Sequence, residues 1–529
     1  MQGETGFDPE QEDEEDLEQS DPKEKPFLPK SLDRTVIAIP LLKDLKREDK
    51  GTKAPQAHDI IIDLNLEYDL GREAAGKWVR DTINVLLEKL PEGEPADQFT
   101  KEGRGELSPQ YVFARLRARA IRALVTLDKE AHDPDGSNFK KRAIYHIWPD
   151  FQIRALTNKS ISTVKADAAR ASFAAFGEDI VWAVLDSGIQ ADHPHFQDNK
   201  NLELEPPLQH MDFTGPGAGN PDLAKTDPFG HGTHVAGIIA GEIKKKKDGT
   251  PEKEGAVVRS RDENGKITYQ NIDLKAISGM APKCKLVSMR VLDANGRGDT
   301  SSLIAAISKI QEINGYGRRI LIHGVNISVG NSFDPEWFAC GQSPLCTEVN
   351  HLVNSGVVVV VAAGNSGYGI EQTKFTGVIS AGMGMTINDP GNADLAITVG
   401  STHRDMPHIY GVSYFSSKGP TGDGRVKPDI VAPGEKIISC AAGATKQRAV
   451  SQAGAAADDG CDYVEDSGTS MAAPHVSGVI AAFLSIRREF IGQPDKVKQI
   501  FLSTATDLKR EKYFQGYGLV DLMRAIQSV

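Results

Sequence analysis

Three side chains far apart in this chain have the types needed to attack a carbonyl: a serine, a histidine and an aspartate, at 470, 231 and 186. Ser470 lies in Gly468-Thr469-Ser470-Met471-Ala472-Ala473-Pro474-His475, where a glycine-bearing turn enters an amphipathic stretch. Val476, Val479, Ile480, Phe483 and Leu484 recur at i, i+3, i+4, i+7 and i+8, the spacing of one helical face. A serine at a helix start has free backbone N–H groups and the positive end of the dipole beside its oxygen. Those groups can hold the oxyanion that forms when the oxygen attacks a carbonyl. The plain alternative is an N-cap serine.

A neutral hydroxyl also needs a base, and the base needs a group that fixes its tautomer. His231 opens the small and apolar run His231-Gly232-Thr233-His234-Val235-Ala236-Gly237-Ile238-Ile239-Ala240-Gly241, which suits a helix packed in the interior. Taken alone it reads equally as a core histidine, or as a His-x-x-His pair resembling a metal site. Asp186 ends the run Ile180-Val181-Trp182-Ala183-Val184-Leu185, a strand buried on both faces. It falls at the edge where open parallel sheets bind ligands, although such an aspartate can simply cap a turn. Each plain reading holds singly; the three together do not.

The chain order Asp186, His231, Ser470 is that of subtilisin. A hydrolase-fold arrangement needs an acid and then a histidine after the serine, but His475 is the only later histidine and no acid separates the two. A chymotrypsin-like reading would take Ser467 from Asp466-Ser467-Gly468, yet alternating buried strands and helices are not a barrel pattern. Further motifs stand in order between the triad segments. They are Asp186-Ser187-Gly188-Ile189, Val325-Asn326-Ile327-Ser328, Val359-Val360-Val361-Ala362-Ala363-Gly364-Asn365, Phe415-Ser416-Ser417 and Pro428-Asp429-Ile430-Val431-Ala432-Pro433-Gly434. On these residues the chain from about 160 to 529 resembles the subtilisin (subtilase) family of serine peptidases.

The resemblance implies an α/β fold with a doubly wound, mostly parallel sheet, and a serine endopeptidase working through an acyl-enzyme. Ser470 would attack the scissile carbonyl, and His231 would take the proton and return it to the leaving amine. Asp186 would orient His231 and stabilise its imidazolium. Asn365 would donate its amide to the oxyanion beside the Ser470 N–H; by position alone it reads as an Asn-Ser-Gly turn. Extended polypeptide substrates would add as a strand between Gly296-Arg297-Gly298 and Ser328-Val329-Gly330. Ala362, Ala363 and Gly364 would line the pocket beside the nucleophile. Arg297 would favour an acidic upstream residue, with a solvated loop arginine as the alternative. A cis bond is expected before Pro390, in the turn Asp389-Pro390-Gly391.

The family pattern breaks in two places. The acid that holds calcium in many subtilisins is His195 here, a poor calcium ligand. The loop that supplies further ligands is replaced by a charged insertion at about 242–275, with Lys244-Lys245-Lys246-Lys247-Asp248-Gly249 near its start. No cofactor is required for the chemistry, no metal is assigned, and structural calcium is left open. That insertion reads as a solvated loop, and residues 441–466 as a second loop insertion.

The chain has 529 residues, 39 % of them hydrophobic and 25 % charged, and a net charge of −12 that argues against nucleic acid as a partner. Residues 1–30 are acid-dominated, with almost no aliphatic content, and are expected to be disordered. They lack a cationic start and an apolar h-region, so no secretory signal is read there and a cytoplasmic location is expected. No apolar run approaches about 20 residues, so no membrane span is expected. Of the five cysteines, Cys340 and Cys346 are near enough to pair, as are Cys440 and Cys461, leaving Cys284. With no export signal they read as free thiols in a reducing compartment.

Residues 31–157 read as a small α+β domain: strands at 58–64, 111–116 and 143–148, with helices at 72–90 and 118–127. That domain resembles the ferredoxin-like inhibitory pro-domain of many subtilisins, the chain's own intramolecular partner. Its tail, Phe151 to Ser160, would lie in the cleft and be cut by the enzyme itself; the alternative is a permanent accessory domain. The catalytic domain is then 158–529. Two competing readings are an inactive scaffold that only holds peptides, and a peptidase dedicated to one partner. The presence of Asp186, His231, Ser470 and Asn365 together weighs against the scaffold.

Overall fold

Strands made of unbroken β-branched runs need cover on both faces, and the larger part of this molecule is organised around supplying it. The computed structural model describes residues 36–37, 39–49, 51, 54–88, 98–100, 110–134, 139–149, 159–215, 219–243, 254–261, 267–274, 276–333, 339–373, 377–453 and 461–529. The acidic segment 1–30, the lysines 244–247, residues 454–460 and most of the proposed tail 151–160 lie outside the described residues. The chain divides into two compact units, 1–154 and 155–529.

In the second unit, seven parallel strands form one sheet. Their order is Ile430–Glu435, Ile397–His403, Val358–Ala362, Gly324–Ile327, Val181–Asp186, Lys285–Arg290, Met211–Asp212. Alternate residues of Val181–Asp186 enter two different cores. Trp182 and Val184 pack with the helices His231–Ile239 and Thr469–Ile486. Ala183 and Leu185 pack on the other face with Thr300–Ile313 and Pro344–Asn354. Gly324 permits the first of these arrangements, because an added Cβ would sit 2.2 Å from the Trp182 indole. The strand order turns about Val181–Asp186, with the later strands proceeding to one side of it. A crevice at the carboxyl ends is the consequence of such a switch, and Asp186 stands at it.

One strand is shorter than its sequence suggests. The apolar run 320–328 reads as one strand, but only Gly324–Ile327 is one. The N–H groups of Leu321 and Ile322 both bond to the Asn314 side chain, at 3.0 and 2.9 Å, which holds that segment out of the ladder. The helix Thr469–Ile486 is long and apolar enough to cross a membrane by length and composition, although no unbroken apolar run announces it. It is 83 % buried inside the protein, as a core helix is. All five cysteines are free, and the Asp389–Pro390 peptide is cis, as its turn suggested.

The two insertions are not loops. Glu254–Arg261 and Ile267–Leu274 form an antiparallel hairpin, and Gly443–Ala453 is a helix. Ile437–Cys440, Cys461–Asp466, Glu254–Arg261 and Ile267–Leu274 lie side by side in one four-stranded sheet. Val257, Ala441, Ala449, Cys461 and Val464 form a small core between them, with Tyr269, Val450 and Ala453 against it. The hairpin also reaches the main core through Ala256 and Leu274.

The first unit is a separate four-stranded antiparallel sheet in the order Phe99–Thr100, Tyr111–Arg117, Ala57–Leu64, Ile144–Pro149. Its helices include Gly71–Glu88 and Ala118–His132. Ile60, Ile62, Leu64, Val79, Ile83, Leu116, Ile121 and Leu124 fill its core, and Trp78, Leu86 and Leu87 are partly buried against it. The two-residue strand Phe99–Thr100 and the helix Ile39–Asp49 add to the elements read from the sequence; Leu41 and Leu45, one turn apart, seat that helix in the core.

Candidate active site

Asp186 is fully buried at the end of its strand. Its Oδ1 accepts from the Ser187 N–H at 2.8 Å and lies 2.8 Å from His231 Nδ1. With Nδ1–H directed at the carboxylate, Nε2 is left to accept a proton on the cleft side. His231 is the first residue of its helix, and its side chain is 20 % exposed. Gly230 makes the turn into that helix with φ +97°, and an added Cβ would meet the Ala442 carbonyl at 2.1 Å. Burial opposes a charged imidazole, but the charge and hydrogen bond of Asp186, helped by Asp466 and Asp227, outweigh it and raise His231 to about 9.

Ser470 is the second residue of Thr469–Ile486, so its N–H has no partner within the helix. Pro474, four residues on, has no N–H to give the Ser470 carbonyl. That carbonyl instead accepts the Ser328 hydroxyl at 3.0 Å, while the Ser470 hydroxyl donates to the Ser328 carbonyl at 2.9 Å. The nucleophile candidate is thus held on the 328–330 edge instead of on the imidazole. Asn365 Oδ1 accepts from the Thr469 N–H at 2.9 Å and the Thr469 hydroxyl at 3.1 Å. Its Nδ2 is left as a donor beside the Ser470 N–H.

His231, Ser470 and Asn365 line one cleft of about 600 Å³, and so do Gly296, Arg297, Gly298, Ser328, Val329, Gly330, Ala362 and Gly364. Ala363 does not. It is fully buried, its N–H bonds to the Val399 carbonyl at 2.9 Å, and strand alternation turns it from the cleft while its neighbours face it. The cleft also takes in Phe229, Leu292, Leu303 and Asn388, which sequence reasoning missed. Phe229 lies against Gly296, where a Cβ would meet its ring at 2.5 Å.

Asp227, outside the cleft lining, was missed as well. Fully buried, it accepts from the Ser187 hydroxyl (2.8 Å), the Gly230 N–H (2.7 Å), the Thr233 N–H (2.8 Å) and the Thr233 hydroxyl (2.6 Å). It ties the start of the His231 helix to the turn after Asp186, and burial raises its pKa despite these donors. An acid four residues before a histidine, with a threonine two beyond, was the available signal. Asp227→Ala strands four buried donors at about 1–3 kcal/mol each before relaxation. Urea unfolding is therefore expected to show a loss of at least about 2 kcal/mol.

His195 is buried and hydrogen-bonded at both nitrogens, Nδ1 to the Tyr463 hydroxyl at 3.1 Å and Nε2 to the Gly237 carbonyl at 3.2 Å. Burial first, and the nearby His193, push its pKa down to about 3, so it is neutral. Among the described residues no group of three or more His, Cys, Asp or Glu side chains is placed to hold a metal.

The subtilase family model (peptidase S8) matches residues 177–519. Pyrolysin from Pyrococcus furiosus is 32 % identical over 327 residues, covering 56 % of this chain and 21 % of that protein. Serine protease AprX from Bacillus subtilis is 28 % identical over 353 residues, covering 65 % and 64 %. Subtilisin E from the same organism is 25 % identical over 473 residues, covering 87 % and 94 %. The matches therefore span about a fifth of pyrolysin and just under two thirds of AprX.

Proposed function

We propose, on the premise that this chain belongs to the subtilase family, that it is a serine endopeptidase cleaving extended polypeptides through an acyl-enzyme on Ser470. The observation that carries this is the buried Asp186–His231 hydrogen bond, opening on the cleft that also holds Ser470 and Asn365. A substrate strand added to the 328–330 edge uses the backbone groups there and competes for the Ser328 carbonyl that now holds the Ser470 hydroxyl. Released, the hydroxyl turns to His231 Nε2, gives up its proton and attacks the scissile carbonyl. The oxyanion is met by the Ser470 N–H and Asn365 Nδ2. His231 then protonates the leaving amine, and water repeats the sequence on the ester.

We further propose that the first unit is an inhibitory pro-domain with a ferredoxin-like fold. Support comes from its β-α-β-β-α-β order and from the antiparallel arrangement that places Ala57–Leu64 between Tyr111–Arg117 and Ile144–Pro149. The contacts of His195 support reading it as a structural imidazole in place of a cation ligand.

The test is the mass of the full chain and of Ser470→Ala after incubation, with an unfolded protein added as substrate. The wild type is expected to cut that substrate at internal bonds and to shorten itself between Ala155 and Ser162, whereas the variant does neither. Internal cutting by an intact wild type would remove self-processing alone; no cutting by a folded wild type would remove the endopeptidase.

A further inference from the structure

A second cavity of about 310 Å³ shares Phe229 and His231 with the first, but includes neither Ser470, nor Asn365, nor either substrate edge. Val464, Glu465 and Asp466 line it, on the strand that leads into Gly468 and the nucleophile. Arg259 and Tyr269, partners across the inserted hairpin, line it too. Arg448 and Gln452, one turn apart on the inserted helix, line it as well, and His234 lies on the side of the His231 helix. Hairpin and helix are fixed on each other by the small core around Val257 and Ala449, so these side chains project from a packed scaffold.

The position of the cavity relative to the chemistry gives it a role. In the acyl-enzyme the acyl half stays between the two edges of the first cleft. The amine that departs takes its proton from His231, so the leaving half of the substrate must pass the imidazole. The second cavity carries that imidazole and the strand entering the nucleophile, without the acyl-side edges.

Among the described residues its unpaired charges are two guanidinium groups, Arg259 and Arg448, against one carboxylate, Asp466. Glu465 is engaged by Arg404 at 3.4 Å, and Asp466 accepts the Ser467 N–H at 2.7 Å while its charge acts on His231. Among the described residues, Arg448 reaches only its own helix, through Nε to the Ala444 carbonyl at 3.3 Å, and Arg259 has no carboxylate partner. Two guanidinium forks, with the Gln452 amide and the Tyr269 hydroxyl beside them, are the donor set that suits a carboxylate.

We propose that this cavity binds a carboxylate on the leaving side of the scissile bond, within about three extended residues at ~3.3 Å each. The proposal rests on the endopeptidase reading and specifies its substrate class: polypeptides with an acidic residue, or their own C-terminus, just beyond the cleaved bond.

Two peptide series with one shared acyl-side sequence test it on the full chain. The first places Glu or Gln at each of the first three leaving positions; the second ends at those positions as free acid or amide. The wild type is expected to prefer the acid over its neutral partner by about tenfold or more in kcat/KM, the size of one charge-assisted contact. The series that shows the preference identifies the source of the carboxylate. In R259Q/R448Q the ratio is expected to fall to near one, and in R259E/R448E below one; the single exchanges, at exposed side chains, give intermediate ratios. A wild-type ratio near one in both series, or a double Gln variant that keeps the wild-type ratio, overturns the proposal. Fluorophosphonate labelling of the same samples separates the failures. Labelled enzyme with a flat ratio removes this subsite alone, and a folded wild type that neither labels nor cuts removes the endopeptidase reading with it.

Discussion

Ser470→Ala is expected to lower kcat by about 10⁶-fold on every peptide the wild type cleaves, the size that loss of the nucleophilic serine has in subtilisin itself. The loss should be almost entirely chemical. Among the described residues the Ser470 hydroxyl makes one hydrogen bond, to the Ser328 carbonyl, and the side chain is half-buried. Removing one such bond costs about 0.5–1.5 kcal/mol net. The Ser328 hydroxyl still bonds to the backbone carbonyl of residue 470, which the exchange leaves in place. A thermal melt close to that of the wild type, beside an assay at background, is the expected pair of results. Retention of more than about a hundredth of the wild-type rate would place the nucleophile elsewhere, because no other group in the triad can replace an attacking oxygen.

Asp186→Asn is expected to cost about 10⁴-fold, the size of the same exchange in another serine protease triad, and to move the pH profile. Asp186 Oδ1 accepts from both Ser187 and His231. An amide there cannot stabilise the imidazolium, and if its NH₂ faces His231 it selects the wrong tautomer. His231 is raised to about 9 against its burial, with Asp186 the leading opposing influence. The reactive form is the neutral base, so kcat/KM should rise with pH along a limb whose midpoint lies above 6.5 and as high as about 9. Without the carboxylate the leading influence against burial is gone, and the midpoint should fall. The stability consequence follows from the same sign. A histidine with a raised folded-state pKa contributes stability that is complete below its unfolded value, near 6.5, and is lost as pH rises through about 9. The wild type should therefore lose this contribution between those limits, and the variant should show a flatter profile there. Kinetics and urea unfolding from about pH 5 to 10 check both, and a limb at the same pH in both proteins would contradict the assignment.

What the sequence discloses and what it hides divide along a physical line. Val181–Asp186 and Val358–Ala362 are legible because a strand buried on both faces needs no partner to be recognised: its apolar run is complete in itself. Asp186 ends such a strand and Asn365 closely follows another, while His231 and Ser470 stand where small and apolar helices begin. Residues whose role depends on a distant partner are not legible. Asp227 looks like an ordinary turn acid until Ser187 and Thr233 are brought to it. The freed Ser470 carbonyl follows from Pro474, but its acceptance of the Ser328 hydroxyl needs the folded edge. Ala363 reads as a pocket residue with its neighbours because a tripeptide motif does not show that alternate residues of a strand face opposite ways. The insertions read as loops because the core around Val257 and Ala449 is shared between segments almost two hundred residues apart.

The mechanism depends on Ser470 becoming the covalent partner of a substrate carbonyl with His231 as its base. The direct measurement is to react the full chain with a fluorophosphonate and map the adduct by peptide mass. The expected result is a single adduct on Ser470, formed far more slowly in His231→Ala and absent from Ser470→Ala. An adduct on another serine that persists in Ser470→Ala, or a folded wild type that forms none, would contradict it.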